Sequence, residues 1–349
     1  MIRCALILFI ILFQIHEKSE ASDCKPLVAV YPTWKHDEHV MEKLPWDRFT
    51  HLAIFAVHPN ESAQLVSSDA DVFIKEISLM AHSKGKKIVI SIGGAGEASK
   101  AFLKVANDRG LRNTFAKNVA RYVQDNHIDG VDIDWEYWSY QNEKGKGGND
   151  PVESKNLVHL VSELRKVLPK NIMLTADIIA GPWLGDQYLP EIQDHVDYVN
   201  LMAFDFTGEW KESSIGHHSD FRTFKKAIAY AIGKGFRKEK LLIGLPAYGK
   251  EFINGKNKTV RNVSYTDIVQ TLKGDESLLK KGRFQNIYFE TRQNIQKKVK
   301  YLNKNGFPGV TLFEVTSDHN DDKFSLLESA SAALNPNSCY NKAIHPTNG

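Results

Sequence analysis

The sequence predicts a single-domain α/β protein of the (β/α)8 TIM-barrel class, and three observations carry this prediction. Eight short stretches, most of them apolar and rich in Val, Ile or Leu, recur along the chain, as is typical of strands buried on both faces. Segments with the periodicity of amphipathic helices lie between them. Eight is also the number of parallel strands that closes a barrel when strands alternate with helices.

The predicted elements alternate from one end of the chain to the other. Helical patterns cover 71–83, 111–126, 154–168, 221–234, 294–305 and about 324–334, and several end at a stop signal such as Gly85 or Pro169. The predicted strands are 26–31, 51–57, 87–92, 130–136, 172–179, 196–204, 241–248 and 309–315.

An open doubly wound sheet is the alternative arrangement of the same elements. Against it, no GxGxxG motif follows the first strand, where residues 31–34 read YPTW. The glycine-rich stretch 93–96 (GGAG) lacks the Lys-Ser/Thr ending of a phosphate-binding loop. We therefore expect its glycines to pack closely against the fourth strand.

Composition and charge exclude some classes of partner. The chain has 349 residues, with 45 Lys and Arg against 42 Asp and Glu, and a net charge of +3. This balance, with no basic run, argues against nucleic-acid binding. We expect a monomer.

The first 21 residues have the pattern of a secretory signal peptide. Arg3 supplies a positive charge, 4–13 is an unbroken apolar run, and 19–21 (SEA) places small residues at a cleavage site. A membrane anchor is the alternative, but a bilayer span needs ~20 apolar residues. We expect 1–21 to be removed, 22–349 to form the barrel, and the protein to be secreted to the extracellular space without a membrane attachment.

Secretion changes the interpretation of the cysteines. Cys24 and Cys339 remain after signal removal, and an even pair in an oxidising compartment suggests one disulfide. In a barrel, the last helix returns to the end where the first strand begins, so the two cysteines are expected to lie near each other. Two unpaired thiols are the alternative. Glycosylation sequons at Asn60, Asn257 and Asn262 also fit a secreted protein.

The fourth predicted strand carries three carboxylates on one face. Asp132, Asp134 and Glu136 alternate with Ile133 and Trp135, and alternate residues of a strand point the same way. In a barrel the acids would line the interior while the apolar residues pack outward. Glu136 would stand at the carboxyl end of the strand, which is the face where barrel enzymes build their active sites.

Such a row of acids favours acid–base chemistry. Like charges in a dry interior cannot all ionise, so some pKa values rise, and a Glu with a raised pKa suits a general acid. A metal site is the alternative, but no HExxH or CxxC motif accompanies the acids. An exposed strand with one polar face fits poorly among apolar strands. Asp129 lies on the other face and is expected to be structural.

These motifs together resemble glycoside hydrolase family 18, the chitinases and chitinase-like proteins. Residues 129–136 (DGVDIDWE) are similar to the DxxDxDxE signature of that family. The resemblance covers about 27–334, and its other motifs are 91–94 (SIGG), 202–205 (MAFD), 208–210 (GEW), 216–217 (GH) and 246–249 (PAYG).

The resemblance implies a substrate-assisted retaining hydrolysis of β-1,4-linked N-acetylglucosamine, without cofactor or metal. Glu136 would protonate the glycosidic oxygen and later activate water. The substrate's own acetamido oxygen would attack the anomeric carbon. Asp134 would orient the acetamido group, and Asp132 would hold Asp134 from below.

The resemblance also implies a set of substrate-binding residues. Met202 and Asp205 would approach the reacting sugar, and Tyr137 would hydrogen-bond it. Aromatic side chains near strand ends would stack on sugar rings, although each could instead pack in the core or a loop. The candidates are Tyr31, Trp34, Phe55, Tyr137, Trp138, Trp183, Met202, Phe204, Asp205, Trp210 and Phe313. The adjacent His217 and His218 are expected to hydrogen-bond within a loop.

The chain departs from the family pattern at several positions. Phe204 stands where a tyrosine is usual, Phe313 where a tryptophan is usual, and Ala95 where many chitinases place a tryptophan. The α+β insertion that many animal chitinases carry after strand 7 is expected to be missing, because only about 45 residues separate Tyr248 from the helix that starts at 294, and its loss implies a shallower cleft. A non-catalytic glycan-binding lectin and an endo-β-N-acetylglucosaminidase acting on N-glycans are therefore the alternatives. Such lectins usually lose the terminal acid, and the presence of Glu136 favours the enzyme.

Overall fold

Eight parallel strands close into a barrel in the computed structural model, which describes residues 24–66, 71–95, 100–136, 151–180, 187–210, 213–253 and 259–335. Each strand pairs with the next, and the first pairs with both the second and the last. The barrel strands are β1 Leu27–Pro32, β2 His51–Pro59, β3 Lys87–Ala95, β4 Gly130–Glu136, β5 Met173–Ile179, β6 Tyr198–Met202, β7 Leu241–Pro246 and β8 Gly309–Phe313. The predicted fold class and the order of its strands are confirmed.

Helices surround the barrel, and the six predicted ones are present with ends that differ by at most a few residues. Short 3-10 turns cover Thr33–Lys35, Trp46–Arg48, Pro190–Asp194, Lys238–Lys240 and Val315–Ser317. The helices are α1 Glu38–Glu42, α2 Asp71–Ser83, α3 Lys100–Asn107, α4 Arg109–Asp125, α5 Pro151–Val167, α6 Phe221–Gly233, α7 Tyr265–Thr271, α8 Glu276–Leu279, α9 Arg292–Lys304 and α10 Leu326–Leu334.

A small antiparallel sheet that was not predicted follows β7. The seventh strand was predicted to run to Tyr248, but it ends at Pro246. Tyr248 instead begins the first strand of the new sheet. The segment is short, but it holds α7, α8 and four strands of its own, so a small α+β insertion is present where none was expected. Those strands are Tyr248–Ile253, Thr259–Ser264, Arg283–Phe284 and Ile287–Phe289. Another two-residue strand, Leu65–Val66, pairs antiparallel with β2.

The outer face of β4 packs under the helices, as its alternation predicts. The indole of Trp135 is fully buried and stacks on Phe102 of α3, with ring centroids 5.5 Å apart. Phe115 of α4 meets Phe102 edge-on at 5.9 Å. The acids of β4 consequently face the barrel interior.

The β3–β4 contact needs a glycine. Gly93 pairs with Asp134 and has a φ of +124°, and a Cβ built there would lie 2.1 Å from the backbone oxygen of Asp134. Only glycine adopts this conformation and permits this approach without strain. The expected close packing of the glycine-rich stretch against the fourth strand is confirmed.

The bottom of the barrel holds Asp129 and the two ends of the fold. The Asp129 carboxylate accepts hydrogen bonds from His82 Nε2 at 2.7 Å and from the Ile88 amide at 2.8 Å, which is a structural role. Asn335, just after α10, bonds both the amide and the carbonyl of Lys25. Cys339 and residues 1–21 lie outside the described residues, so the disulfide and the signal peptide stay predictions. Within the described residues, no helix is both long and apolar enough to cross a bilayer.

Candidate active site

A cavity of about 280 Å³ opens among the carboxyl ends of the strands. Side chains from β1 to β6 and from β8 line it, and the acids of β4 form one wall. Asp132, Asp134 and Glu136 all contribute, as the sequence predicts. Among the described residues, no group of three or more His, Cys, Asp or Glu side chains is arranged to hold a metal ion.

Asp132 lies at the base of this wall and is held by three hydrogen-bond donors. Its Oδ2 accepts from Ser91 Oγ of β3 at 2.9 Å. Its Oδ1 accepts from Thr175 Oγ1 of β5 at 2.5 Å and from Asn200 Nδ2 of β6 at 3.1 Å. Burial raises the pKa of Asp132, and these hydrogen bonds oppose the rise.

A fourth carboxyl group, Asp177 of β5, joins the wall and was not predicted. It lines the cavity and shares a hydrogen bond with Asp132. Burial and the charge of Asp132 raise its pKa well above the usual value. The signal was present in the sequence, because Thr175 and Asp177 are polar residues at alternate positions of an otherwise apolar strand.

Asp134 and Glu136 form a second hydrogen-bonded pair above the first. Burial, together with the charges of Glu136, Asp177 and Asp132, raises the pKa of Asp134 well above the usual value. Burial and the charge of Asp205 raise the pKa of Glu136 to about 7, although the hydrogen bond from Asp134 opposes the rise. The group nearest the cavity mouth is therefore an acid that titrates near neutral pH.

Asp205 faces Glu136 from the loop after β6, where its φ is +58°. Its Oδ1 accepts a hydrogen bond from the Tyr248 hydroxyl at 2.6 Å and pairs with Lys250 Nζ at 3.1 Å. His218 Nδ1 lies 3.2 Å from the same oxygen. Burial alone would raise the pKa of Asp205, but the His218 bond and the Lys250 charge outweigh it and hold the pKa well below the usual value.

The loop that follows is organised by its two histidines, as predicted. His218 is fully buried, and its Nε2 lies 3.1 Å from the Tyr248 carbonyl oxygen. His217 Nδ1 accepts from the Ser219 amide at 3.0 Å. Lys250 and the role of Tyr248 were not predicted, because their contacts with Asp205 join positions more than 40 residues apart in the chain.

Aromatic rings form the wall opposite the acids. Phe204 stacks on Phe313 with centroids 6.0 Å apart, and Phe55 meets Phe313 edge-on at 5.9 Å. Tyr248 contacts both Phe204 and Phe313 at 6.3 Å. Trp34, which is 64% exposed, packs edge-on against Phe55 at 5.6 Å. A sugar ring could lie between this apolar wall and the carboxyl wall.

The structure places two predicted binding residues elsewhere. Tyr31 is fully buried, and its hydroxyl contacts His36 Nδ1 and the Asp37 amide. Trp210 lies against Gly208 in the loop after β6. Neither lines the cavity, whereas Met202, Phe204, Asp205, Phe55 and Phe313 do. Tyr137, Trp138 and Trp183 lie outside the described residues.

Several known proteins share sequence with this chain. Probable chitinase 2 of Drosophila melanogaster is 31% identical over 176 residues, which are 48% of this chain and 35% of that protein. Chitinase-3-like protein 2 of Homo sapiens is 24% identical over 65% of this chain and 63% of its own length. Endochitinase 1 of Metarhizium anisopliae is 26% identical over 83% of this chain and 75% of its own length. The chain thus spans less than two thirds of the first two relatives.

Solved structures share the fold. Chitinase ChiB of Flavobacterium johnsoniae superposes with a TM-score of 0.74 at 24% identity, covering 90% of this chain and 94% of that one. The Group IV chitinase of Ostrinia furnacalis, in complex with allosamidin, gives 0.75 at 20% identity over 89% and 99%. At these identities the likeness shows the barrel alone.

The family model described as glycosyl hydrolases family 18 matches residues 27–318. The match begins with β1, ends beyond β8 and includes both carboxyl pairs and Asp205. Since it covers most of the chain and the whole barrel, this protein belongs to glycosyl hydrolase family 18.

Proposed function

We propose that the protein is a secreted glycosidase that cleaves β-1,4-linked N-acetylglucosamine polymers or oligomers, with Glu136 as the proton donor. The observation that carries the proposal is the position and pKa of Glu136. It lies at the cavity mouth, and its pKa of about 7 lets it hold a proton at neutral pH and release it to a leaving group.

The hydrogen bond between Asp134 and Glu136 supports substrate assistance. In retaining enzymes with two working carboxylates, the acid and the nucleophile are ~5–5.5 Å apart. Hydrogen-bonded oxygens lie closer than this, so Asp134 is poorly placed as a separate nucleophile. In the proposed reaction, the substrate's acetamido oxygen attacks the anomeric carbon as Glu136 protonates the departing oxygen. Water then opens the oxazolinium ion while Glu136 takes its proton.

The surrounding residues suit a substrate of this kind. Asp205 remains anionic beside the site, where it can stabilise a developing positive charge. The aromatic wall of Phe55, Phe204 and Phe313 suits the apolar face of a sugar. Phe204 offers no hydroxyl to the acetamido oxygen, but Tyr248 contributes one to the same wall, where it is bonded to Asp205. Names of relatives and neighbours, several called chitinases, support the same substrate class.

Secretion and the Cys24–Cys339 disulfide belong to the proposal as well. The apolar segment at the start of the chain supports secretion. Two hydrogen bonds between Asn335 and Lys25 support the disulfide. Lys25 is next to Cys24 and Asn335 lies four residues before Cys339, so these bonds bring the two cysteine-bearing segments together. N-terminal sequencing of exported protein should begin near residue 22. Peptide mapping without reduction should recover the two cysteines together.

The test compares Glu136→Gln with the wild-type protein on fluorogenic chitooligosaccharides. Loss of a general acid costs ~10²–10⁴-fold in rate, and binding measured by calorimetry should persist. Glu76→Gln, an exposed glutamate on α2, is the matched control and should behave as wild type. If the wild-type protein binds these oligomers or N-glycans without cleaving them, the lectin alternative replaces the enzyme. Cleavage of N-glycans alone would favour an endo-β-N-acetylglucosaminidase.

A further inference from the structure

Asp177 is a half-buried acid at the cavity wall for which the proposed reaction has no role. It belongs to β5, which pairs with β4 through Asp132 and Thr175 and with β6 through Asp177 and Asn200. Thr175 and Asp177 both line the cavity, as alternate residues of one strand should. Asp177 therefore lies one pleat above Thr175, beside the lower part of the β4 acids.

Asp177 pairs in register with Asn200, and the Asn200 side chain donates to Asp132 at 3.1 Å. The Asp177 and Asp132 carboxyl groups therefore lie close enough to share a hydrogen bond, which requires that one of them keeps a proton. Asp132 already accepts from Ser91, Thr175 and Asn200. Three donors stabilise the charged form of a carboxylate. The proton of this pair consequently belongs to Asp177.

We propose that Asp177 is a positioning residue of the active site: it remains protonated at neutral pH, donates to Asp132, and so holds Asp132 as an anion beneath Asp134. The inference deepens the proposed function and rests on it for any effect on rate. Burial and the charges of Asp132 and Glu136 raise the pKa of Asp177 and outweigh the hydrogen bond from Asn200, which lowers it, in agreement with this assignment.

The other titratable groups around Asp177 fit the same proton arrangement. Asp134 and Glu136 face it from β4, and Tyr188 faces it from the loop before β6. Burial raises the pKa of Tyr188 well above its usual value, so this phenol stays neutral. Asp134 donates to Glu136, as Asp177 donates to Asp132. The lower pair then contains one protonated acid and one carboxylate, whereas Glu136 of the upper pair also takes up a proton as the pH falls through its pKa of about 7.

Two substitutions at position 177 test whether Asp177 acts as a neutral hydrogen-bond donor or as a negative charge. Asp177→Asn keeps an N–H donor of similar shape, whereas Asp177→Ala removes the donor. A hydrogen bond to a charged group contributes ~1.5–3 kcal/mol, which corresponds to ~10- to 100-fold in rate. We expect Asp177→Asn to be at least ~10-fold more active than Asp177→Ala in kcat, with similar KM values. In the pH–rate profile of Asp177→Asn, the alkaline limb, where activity falls as the pH rises, should stay at the wild-type position.

Ile178→Ala is the control for loss of packing. Ile178 is the next residue of β5, fully buried, and lies on the outer face. Its truncation should lower the unfolding temperature without moving the pH limb. Equal loss of activity in both Asp177 variants, or wild-type activity in both, would overturn the proposal. A shift of the alkaline limb of Asp177→Asn to lower pH would also overturn it, because that shift means that a negative charge was removed.

Infrared spectroscopy tests the protonation without any activity measurement. Protein labelled with ¹³C in its aspartate side chains should show the carbonyl stretch of protonated acids at pH 7. Asp177→Asn should lose part of that band, and Asp134→Asn should lose another part. An unchanged band in Asp177→Asn would mean that Asp177 is ionised and the inference is wrong. If the band behaves as expected in a protein without hydrolase activity, only the proposed function fails.

Discussion

Replacing Lys298 with Met should lower the free energy of unfolding more than any substitution of an exposed residue on the same helix. Lys298 of α9 and Glu290 are both fully buried, and they form an ion pair. Lys298 Nζ also donates to the Ser219 carbonyl oxygen at 2.5 Å and to Ser219 Oγ at 2.7 Å. Met fills similar space but has no donor, so the substitution leaves the Glu290 charge and the Ser219 oxygens without this partner.

The cost follows from burial. Breaking a buried ion pair by removing one partner costs ~3–5 kcal/mol, because an uncompensated charge remains in the interior. Replacing both partners with apolar residues is often neutral. We therefore expect Lys298→Met to lose ~3–5 kcal/mol in the free energy of unfolding, and the double variant Lys298→Met/Glu290→Leu to recover much of that loss.

Urea unfolding followed by tryptophan fluorescence measures both values. Lys300→Met, an exposed position of α9, is the matched control and should lie within ~0.5 kcal/mol of wild type. The reasoning is refuted if Lys298→Met matches this control, or if the double variant is less stable than the single one. Activity adds a second readout, since Ser219 is adjacent to His218, which contacts Asp205.

Two further predictions concern the site itself. Gly93→Ala should misfold or lose activity, because a Cβ would meet the Asp134 carbonyl oxygen at 2.1 Å; normal expression with wild-type kcat would contradict this. Asp205→Asn should move the alkaline limb of kcat/KM to lower pH, because the Asp205 charge helps to raise the pKa of Glu136. Kinetics across pH 4–9 measure that limb, and an unmoved or raised limb would refute the coupling.

The barrel could be predicted because most of its strands are continuous runs of apolar residues within one stretch of chain. Residues 52–57, for example, are apolar throughout, and 71–83 has a single apolar helical face. The row of acids on β4 was visible for the same reason: alternation along one strand decides which side chains share a face.

The missed features depend on contacts between distant segments. The small sheet after β7 uses short, polar strands such as Thr259–Ser264, which carry little apolar signal. Lys250 reaches Asp205 only because this sheet folds back over the barrel mouth. Tyr31 stands at a strand end, where a core position and a cleft position look alike in sequence. Its burial is decided by the packing of the following turn.

The pH dependence of kcat/KM on a fluorogenic chitooligosaccharide tests most directly whether Glu136 is the proton donor. A general acid works only while protonated, so activity should fall as the pH rises through the pKa of Glu136. With that pKa at about 7, we predict an alkaline limb near pH 7. An alkaline limb near pH 4.5, or a rate that stays flat from pH 6 to pH 9, would contradict the assignment.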